Sequence, residues 1–269
     1  MKYFIDTEFL EGTQKTLLGN TKPTIDLISI AVVGEDGREY YAVSKEFNLK
    51  EAWNRYQVEK DETVGARIKA LPPYKKIYWL RENVLLPIFF ELAQKDFHNT
   101  HFKDEWNYEQ KSVDLQVFKK VWGTDFGWFK KLIVKYGKSN LTIAEEIEYF
   151  VRYSFPDNYG KKLETDIKFY GYYCDYDWVV FCWLFGKMMN LPKGFPMYCR
   201  DLKQMYDEIQ EAAPNVQRIA WHEIESRGLK TEDAFKIKLM KTYPKQENEH
   251  NALADAKWNK ELYFFLNRC

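Results

Sequence analysis

The chain has 269 residues, of which 45% are hydrophobic and 30% charged, and this balance predicts a folded globular protein rather than a disordered one. Lys and Arg together number 40, as do Asp and Glu, so the composition excludes a general basic surface for nucleic acid. No apolar run reaches the roughly 18 residues of a membrane span, no signal peptide is visible, and no Cys-x-x-Cys pair occurs. We therefore expect a cytoplasmic protein with reduced cysteines and no membrane partner.

The chain opens with three strand patterns, in which apolar side chains recur over short runs. These patterns cover residues 2–8, 25–33 and 39–43. Between the last two, the sequence Glu35-Asp36-Gly37-Arg38 is typical of a hairpin turn. We therefore expect a three-stranded meander at the start of the fold.

Helical and strand patterns alternate through the rest of the chain. Helical patterns cover residues 50–75, 84–93, 143–152, 177–189, 202–211 and 251–266, and Pro87 either starts or breaks the second of them. Strand patterns cover residues 169–174, which are apolar enough to be buried, and residues 197–201, which suit a short edge strand. This order predicts an α/β fold in which helices cover both faces of a mixed sheet.

Two carboxylates, Asp6 and Glu8, stand one residue apart at the end of the first strand pattern. Residues i and i+2 of a strand point to the same face, so the two side chains are expected to project together. Like charges held that close are unfavourable unless a cation neutralises them, and ligands that are all oxygen favour Mg²⁺ or Mn²⁺. The pair therefore predicts half of a metal site.

Two later motifs complete an ordered set with Asp6 and Glu8. Asp177 directly precedes an apolar helical pattern, and the sequence from His250 to Asp255 reads His-x-Ala-x-x-Asp at the start of the last one. This order resembles the DEDDh 3′–5′ exonucleases, and within them the RNase AS group of bacterial exoribonucleases. A lone Asp-x-Glu is a weak signal, whereas the ordered set is specific, above all in its last motif.

The resemblance extends beyond the acidic motifs. Shared stretches lie at residues 3–9, 26–33, 35–44, 176–179, 191–197 and 249–256. It implies an RNase H-like fold and a single exonuclease domain over residues 1–269. Residues 94–140 match the family poorly, and we interpret them as a helical or irregular insertion.

The insertion carries motifs of its own. His98 and His101 have a spacing that fits either a Zn²⁺ site or a surface loop. Aromatic residues alternate with lysines at residues 118–122 and 126–131, which fits either nucleic-acid contact or the core of a small subdomain.

The resemblance assigns catalytic roles to five residues. It implies that Asp6 bridges two Mg²⁺ ions about 4 Å apart, for which Mn²⁺ can substitute. It also implies that Glu8 and Asp255 bind the ion that holds the attacking water, and that Asp177 completes the site. His250 is implied as the general base, because its ordinary pKa lies near the working pH.

Three further residues are candidates for substrate contact. Thr7 and Phe9 flank Glu8, and the resemblance implies that Phe9 and the following Leu10 wedge against the terminal base, with a plain core role as the alternative. Asp175 competes with Asp177 as the acid of the second motif. We prefer Asp177 because Tyr176-Asp177-Trp178 matches that motif in place, and we place Asp175 near the ribose.

The resemblance implies a metal-dependent 3′–5′ exoribonuclease that releases nucleoside 5′-monophosphates from single-stranded RNA, with A-rich 3′ ends as the expected substrate. It also implies a homodimer. Two alternatives stay open at this point, a DNA 3′–5′ exonuclease of the same fold and a module that binds nucleic acid without cutting it.

Overall fold

A computed structural model describes residues 1–15, 19, 21–60, 74–101, 125–153, 166–212 and 243–267. The chain divides into two compact units. The first unit comprises Met1–Phe9, Ser29–Ala42 and Asn140–Cys269, and the second comprises Leu10–Ile28 and Val43–Ser139. No helix in the described ranges is both long and apolar enough to cross a membrane.

The strands and helices are numbered here in chain order. The strands are β1 (Lys2–Lys15), β2 (Thr21–Gly34), β3 (Glu39–Val43), β4 (Gln57–Lys60), β5 (Tyr74–Ile77), β6 (Lys168–Gly171) and β7 (Arg200–Asp201). The α-helices are α1 (Leu49–Asn54), α2 (Leu86–His101), α3 (Phe126–Tyr136), α4 (Asn140–Arg152), α5 (Asp175–Leu184), α6 (Leu202–Ala212) and α7 (Ala252–Leu266). A π-helical turn at Arg81–Leu85 leads into α2, and a 3₁₀ turn spans Met188–Asn190.

A five-stranded sheet has the order β3-β2-β1-β6-β7, which places β1 at its centre. Strand β6 runs parallel to β1, with Phe4 opposite Tyr170 as the last pair, and β7 runs parallel to β6 at the edge. Near the start of β1, Tyr3, Phe4 and Ile5 are fully buried, as expected for a central strand covered on both faces. The mixed α/β sheet predicted from the sequence is confirmed.

The predicted turn between β2 and β3 is also present. The amide of Gly34 donates to the carbonyl oxygen of Arg38 at 2.8 Å, and the amide of Gly37 donates to that of Gly34 at 3.0 Å. Gly37 has a φ of +91°, a left-handed conformation that glycine adopts without the steric cost of a Cβ.

Helix α7 packs against the first unit's sheet through a buried aromatic cluster. Its Tyr263 ring lies 5.4 Å from that of Phe4 on β1 and 4.6 Å from that of Tyr170 on β6. Such pairs contribute roughly 0.5–1.5 kcal/mol each beyond the area they bury. The packing fixes α7 against the strand that carries Asp6 and Glu8.

Two stretches differ from the sequence-based prediction. Of residues 50–75, predicted as helical, the structure describes 50–60 and 74–75, where helix is confined to α1 and β4 and β5 pair antiparallel with Gln57 opposite Ile77. The alternation of polar and apolar residues in these strands is too short to distinguish them from a charged helix. The helix predicted over residues 177–189 ends at Leu184, because Gly186 adopts a φ of +88°.

The predicted insertion and the single-domain arrangement stay predictions. Helix α2 continues to His101, and α3 begins at Phe126, so the stretch at residues 126–131 is helical. The stretch at residues 118–122 and the side chains of His98 and His101 lie outside the described part of the chain.

Candidate active site

Three carboxylates from distant parts of the sequence meet in the first unit. Asp6 and Glu8 project from β1, and Asp255 lies in the first turn of α7. One oxygen from each of the three lies within 4.8 Å of the others. The i, i+2 spacing on the strand accounts for the first two, and the packing of α7 on the sheet adds the third. The three residues are among those for which the sequence predicted a cation site, and that site stays a prediction.

Asp177 lies beside this group, in the first turn of α5, and its side chain is only 7% exposed. The backbone amide and the hydroxyl of Thr7 both donate to Oδ1 of Asp177, at 2.8 and 2.6 Å. Burial is the largest cause of the raised pKa values of Asp6 and Glu8, and the negative charge of Asp177 adds to both. The four carboxylates therefore interact electrostatically. The bond from Thr7 is a link that no sequence pattern signals.

Burial and mutual repulsion raise the pKa values of these acids. Burial followed by the charges of Asp177, Glu8 and Asp255 holds the pKa of Asp6 well above its usual range. Burial followed by the charges of Asp255 and Asp177 raises the pKa of Glu8 to about 8. Without a cation this cluster is therefore unfavourable in its fully charged form. An all-carboxylate donor set with oxygens this close fits a hard divalent cation such as Mg²⁺ or Mn²⁺.

The loop before α7 holds both oxygens of Asp255. The amide of Gln246 donates to Oδ1 at 2.8 Å, and the backbone amide of His250 donates to Oδ2 at 2.8 Å. Burial raises the pKa of Asp255, while these two hydrogen bonds and the charge of His250 oppose that rise. Asn251 caps the helix, because its side-chain oxygen accepts from the amide of Ala254 at 3.1 Å. Gln246 was not identified from the sequence.

His250 adopts an uncommon backbone conformation. Its φ is +67°, and Asn248 in the same loop has a φ of +55°. Left-handed backbone costs energy for residues other than glycine and recurs at functional sites. The conformation directs the backbone amide of His250 to Asp255, and the imidazole lies near enough for its charge to lower the pKa of that acid.

The predicted substrate contacts occupy different environments. Thr7 is buried, and its hydroxyl is directed to Asp177. The ring of Phe9 packs edge-on against Tyr176 at 5.7 Å, and Tyr176 is 52% exposed. Asp175 is exposed in the first turn of α5. Phe9 and Tyr176 follow Glu8 and precede Asp177 in the sequence, and Tyr176 is a member of this aromatic pair that the sequence did not single out.

Asp201 supports the helix that carries Asp177. Its Oδ2 accepts from the backbone amide of Cys174, the residue before α5, at 3.0 Å. Its Oδ1 accepts from the amide of Lys203 at the start of α6 at 2.6 Å. The charge of Asp201 also contributes to a raised pKa of about 6 for Asp177, although burial is the largest cause.

The chain is similar to proteins of two Mycobacterium tuberculosis strains, each named a 3′–5′ exoribonuclease. The identity to each is 27% over 210 residues, which cover 77% of this chain and 75% of the relative. No family model matches the chain.

Proposed function

We propose that the chain is a divalent-cation-dependent 3′–5′ exoribonuclease with an RNase H-like fold of the DEDDh type, similar to the RNase AS group. The observation that carries this proposal is the meeting of Asp6, Glu8 and Asp255 oxygens within 4.8 Å. The mixed sheet and the relatives named as exoribonucleases support it.

Asp6, Glu8 and Asp255 would hold the cations, and Asp177, fixed by Thr7, would complete the site. Two bound Mg²⁺ or Mn²⁺ ions would supply positive charge beside the scissile phosphate and the attacking water.

His250 would accept the proton that the attacking water loses, as a general base. The water oxygen would bond to the phosphorus between the last two nucleotides, and the bond from that phosphorus to O3′ of the penultimate nucleotide would break, with this oxygen taking up a proton. The products would be a nucleoside 5′-monophosphate and an RNA strand shorter by one nucleotide, which ends in a 3′ hydroxyl.

The substrate proposed is single-stranded RNA with an A-rich 3′ end. Phe9 and Tyr176 form a partly exposed ring pair next to Glu8 and Asp177 in the sequence, and such a pair suits the terminal base. Asp175, exposed in the first turn of α5, could accept a hydrogen bond from the ribose 2′-OH. A homodimer belongs to the same proposal.

Two rival functions lead to different results in one assay. A DNA 3′–5′ exonuclease of this fold would shorten DNA at least as fast as RNA of the same sequence. A module that only binds would leave both intact. The close carboxylates favour a catalytic function, because side chains that repel one another destabilise a binding module that holds no cation.

The experiment is a time course on 5′-labelled A-rich RNA, mixed-sequence RNA and matching DNA, with Mg²⁺ and with chelator. We expect a ladder that shortens from the 3′ end on RNA and needs Mg²⁺. Asp6→Asn should abolish the ladder while Asp166→Asn, a matched change at an exposed carboxylate that the proposed site does not use, should retain cleavage. Full turnover by Asp6→Asn would disprove the site, and faster cleavage of DNA would establish the rival.

A further inference from the structure

On one side of β1, the pairing with β6 ends two residues before Asp6. This parallel pairing ends at Phe4, and β6 itself ends at Gly171. The carbonyl of Met1 accepts from the amide of Lys168, the first residue of β6, whereas that of Lys2 accepts from the amide of Glu35 on the other side. Because backbone groups alternate in direction along a strand, the odd-numbered residues face β6.

Ile5 and Thr7 are the odd-numbered residues that follow the paired part of β1, so their backbone groups point to the side where β6 has ended. Side chains, instead of a strand, form the hydrogen bonds there. The amide of Asn259 on α7 donates to the carbonyl oxygen of Ile5 at 3.0 Å. The amide of Thr7 donates to Oδ1 of Asp177 at 2.8 Å. These two hydrogen bonds bracket Asp6 on the strand.

A buried asparagine at position 259 is unfavourable for stability if only packing is considered. It is 1% exposed, and its Oδ1 has no hydrogen-bond partner among the described residues. An unpaired acceptor in such a site is costly, whereas an apolar side chain of similar shape would have no polar atom to satisfy. The hydrogen bond to Ile5 accounts for the amide, because that buried carbonyl would otherwise lose its partner.

Asn259 also connects the two elements of the proposed cation site. It lies four residues after Asp255, so both side chains project from the same face of α7. One of them supplies a ligand, and the other holds β1 one residue before Asp6. Helix α7 is therefore hydrogen-bonded to β1 next to the place where Asp6 and Asp255 approach each other.

We infer that Asn259 is a positioning residue that fixes Asp6 on β1 relative to Asp255 on α7. It touches neither substrate nor cation and acts through the backbone of Ile5. The inference rests on the proposed function only in that the three carboxylates are taken as cation ligands.

The test compares Asn259→Leu with the wild type and with Leu262→Ala, a destabilising control on the same helix. Leu262 is fully buried in the core cluster that contains Phe4. Mg²⁺ and Mn²⁺ binding would be measured by calorimetry and by the cation-dependent rise in Tm, neither of which needs RNA cleavage. We expect Asn259→Leu to weaken cation binding about 10-fold or more, which is the scale for groups that orient metal ligands.

Leu262→Ala should lower the Tm but weaken cation binding much less than Asn259→Leu does, since it leaves the hydrogen bond from Asn259 to Ile5 in place. Equal cation affinities for Asn259→Leu and wild type would overturn the inference, as would an equal loss in both variants. If Asn259→Leu does not fold, Asn259→Ala is measured in the same way, and unchanged affinity there overturns it.

RNA turnover separates this inference from the proposed function. In active protein, Asn259→Leu should lower kcat and raise the Mg²⁺ concentration for half-maximal rate, with little change in KM for the oligonucleotide. A wild-type protein that binds Mg²⁺ but cleaves no RNA refutes the proposed function, while the calorimetric comparison still decides the role of Asn259.

Discussion

The hydroxyl of Thr7 donates a hydrogen bond of 2.6 Å to Oδ1 of Asp177, and the two residues are 170 positions apart in the sequence. The bond joins β1 to α5 within the acidic cluster. Hydrogen bonds to a carboxylate are among the stronger ones in proteins, and this one is buried. Thr7→Val keeps the shape of the side chain and removes this donor, while the backbone amide of Thr7 can still donate to Asp177.

We predict that Thr7→Val lowers kcat about 10- to 100-fold, as expected when a carboxylate of a metal site loses its orienting partner. Steady-state cleavage of labelled RNA measures the effect. Thr7→Ser retains the hydroxyl and should stay within about 3-fold of the wild type. A Thr7→Val enzyme as active as Thr7→Ser would show that the hydroxyl does not orient Asp177.

The raised pKa of Glu8 predicts how stability depends on pH. Its pKa is about 8 in the folded protein against an ordinary value of 4.5, so folding takes up a proton at intermediate pH. The unfolded state binds fewer protons there, and stability therefore falls as pH rises through that window. We predict that in chelator the Tm decreases between pH 5 and pH 8.

Two comparisons isolate this effect. Excess Mg²⁺ should remove most of the decrease, because a cation favours the charged carboxylates. Glu8→Gln cannot titrate at this position and should also flatten the profile. A Tm that rises with pH in chelator, or a Glu8→Gln profile as steep as that of the wild type, would contradict the assignment.

His250 can be tested with its backbone conformation retained. Asparagine adopts positive φ more readily than most residues, so His250→Asn should keep the backbone bond to Asp255. We predict a loss of turnover of about 100-fold or more, since an amide cannot accept the proton. Calorimetry should find Mn²⁺ affinity nearly unchanged. A parallel loss of affinity and turnover would make His250 a ligand or a structural residue instead.

Gly171 stands where β6 ends and the chain turns toward α5. A Cβ at this position would lie 2.7 Å from Cβ of Cys174 and 3.2 Å from the carbonyl oxygen of Ile5. We predict that Gly171→Ala costs about 1–3 kcal/mol of stability, as overpacking does, and also lowers turnover because the segment leading to Asp177 must move. Thermal unfolding and RNA cleavage measure the two effects.

Gly37→Ala is the matched control for that substitution. Its site has open space but a φ of +91°, so the alanine is strained without a clash. It should cost about 1 kcal/mol and leave turnover unchanged. If the two variants lose activity to the same extent, the effect of Gly171→Ala reflects stability alone.

The sequence predicted the elements whose signals are local. The start of the strand that carries Asp6, the hairpin turn at Gly37 and the last helix were placed within a residue or two, because periodicity, a turn glycine and a helix cap mark them, whereas the strand runs on to Lys15, beyond its predicted end at residue 8. The i, i+2 spacing predicted that Asp6 and Glu8 project together, and the family resemblance implied that Asp255 and Asp177 join them.

The sequence did not predict what depends on packing between distant segments. The hydroxyl of Thr7 could have faced substrate as readily as Asp177, and nothing near Asn259 indicates that its amide replaces a strand. Gln246 lies in a loop without periodicity, and its bond to Asp255 exists only once the loop has folded. The early end of α5 at Leu184 depends on the backbone conformation of Gly186, which the apolar pattern through Met189 concealed.

The hydrogen bond between Asn259 and Ile5 spans 254 positions of the chain. Asp6 and Glu8 lie near one end of that span, whereas Asp255 lies near the other. Until α7 has packed on β1, the chain therefore holds only part of the carboxylate group, and contacts this distant in sequence carry a large entropic cost of loop closure. We expect the complete group to assemble late in folding, together with the packing of α7.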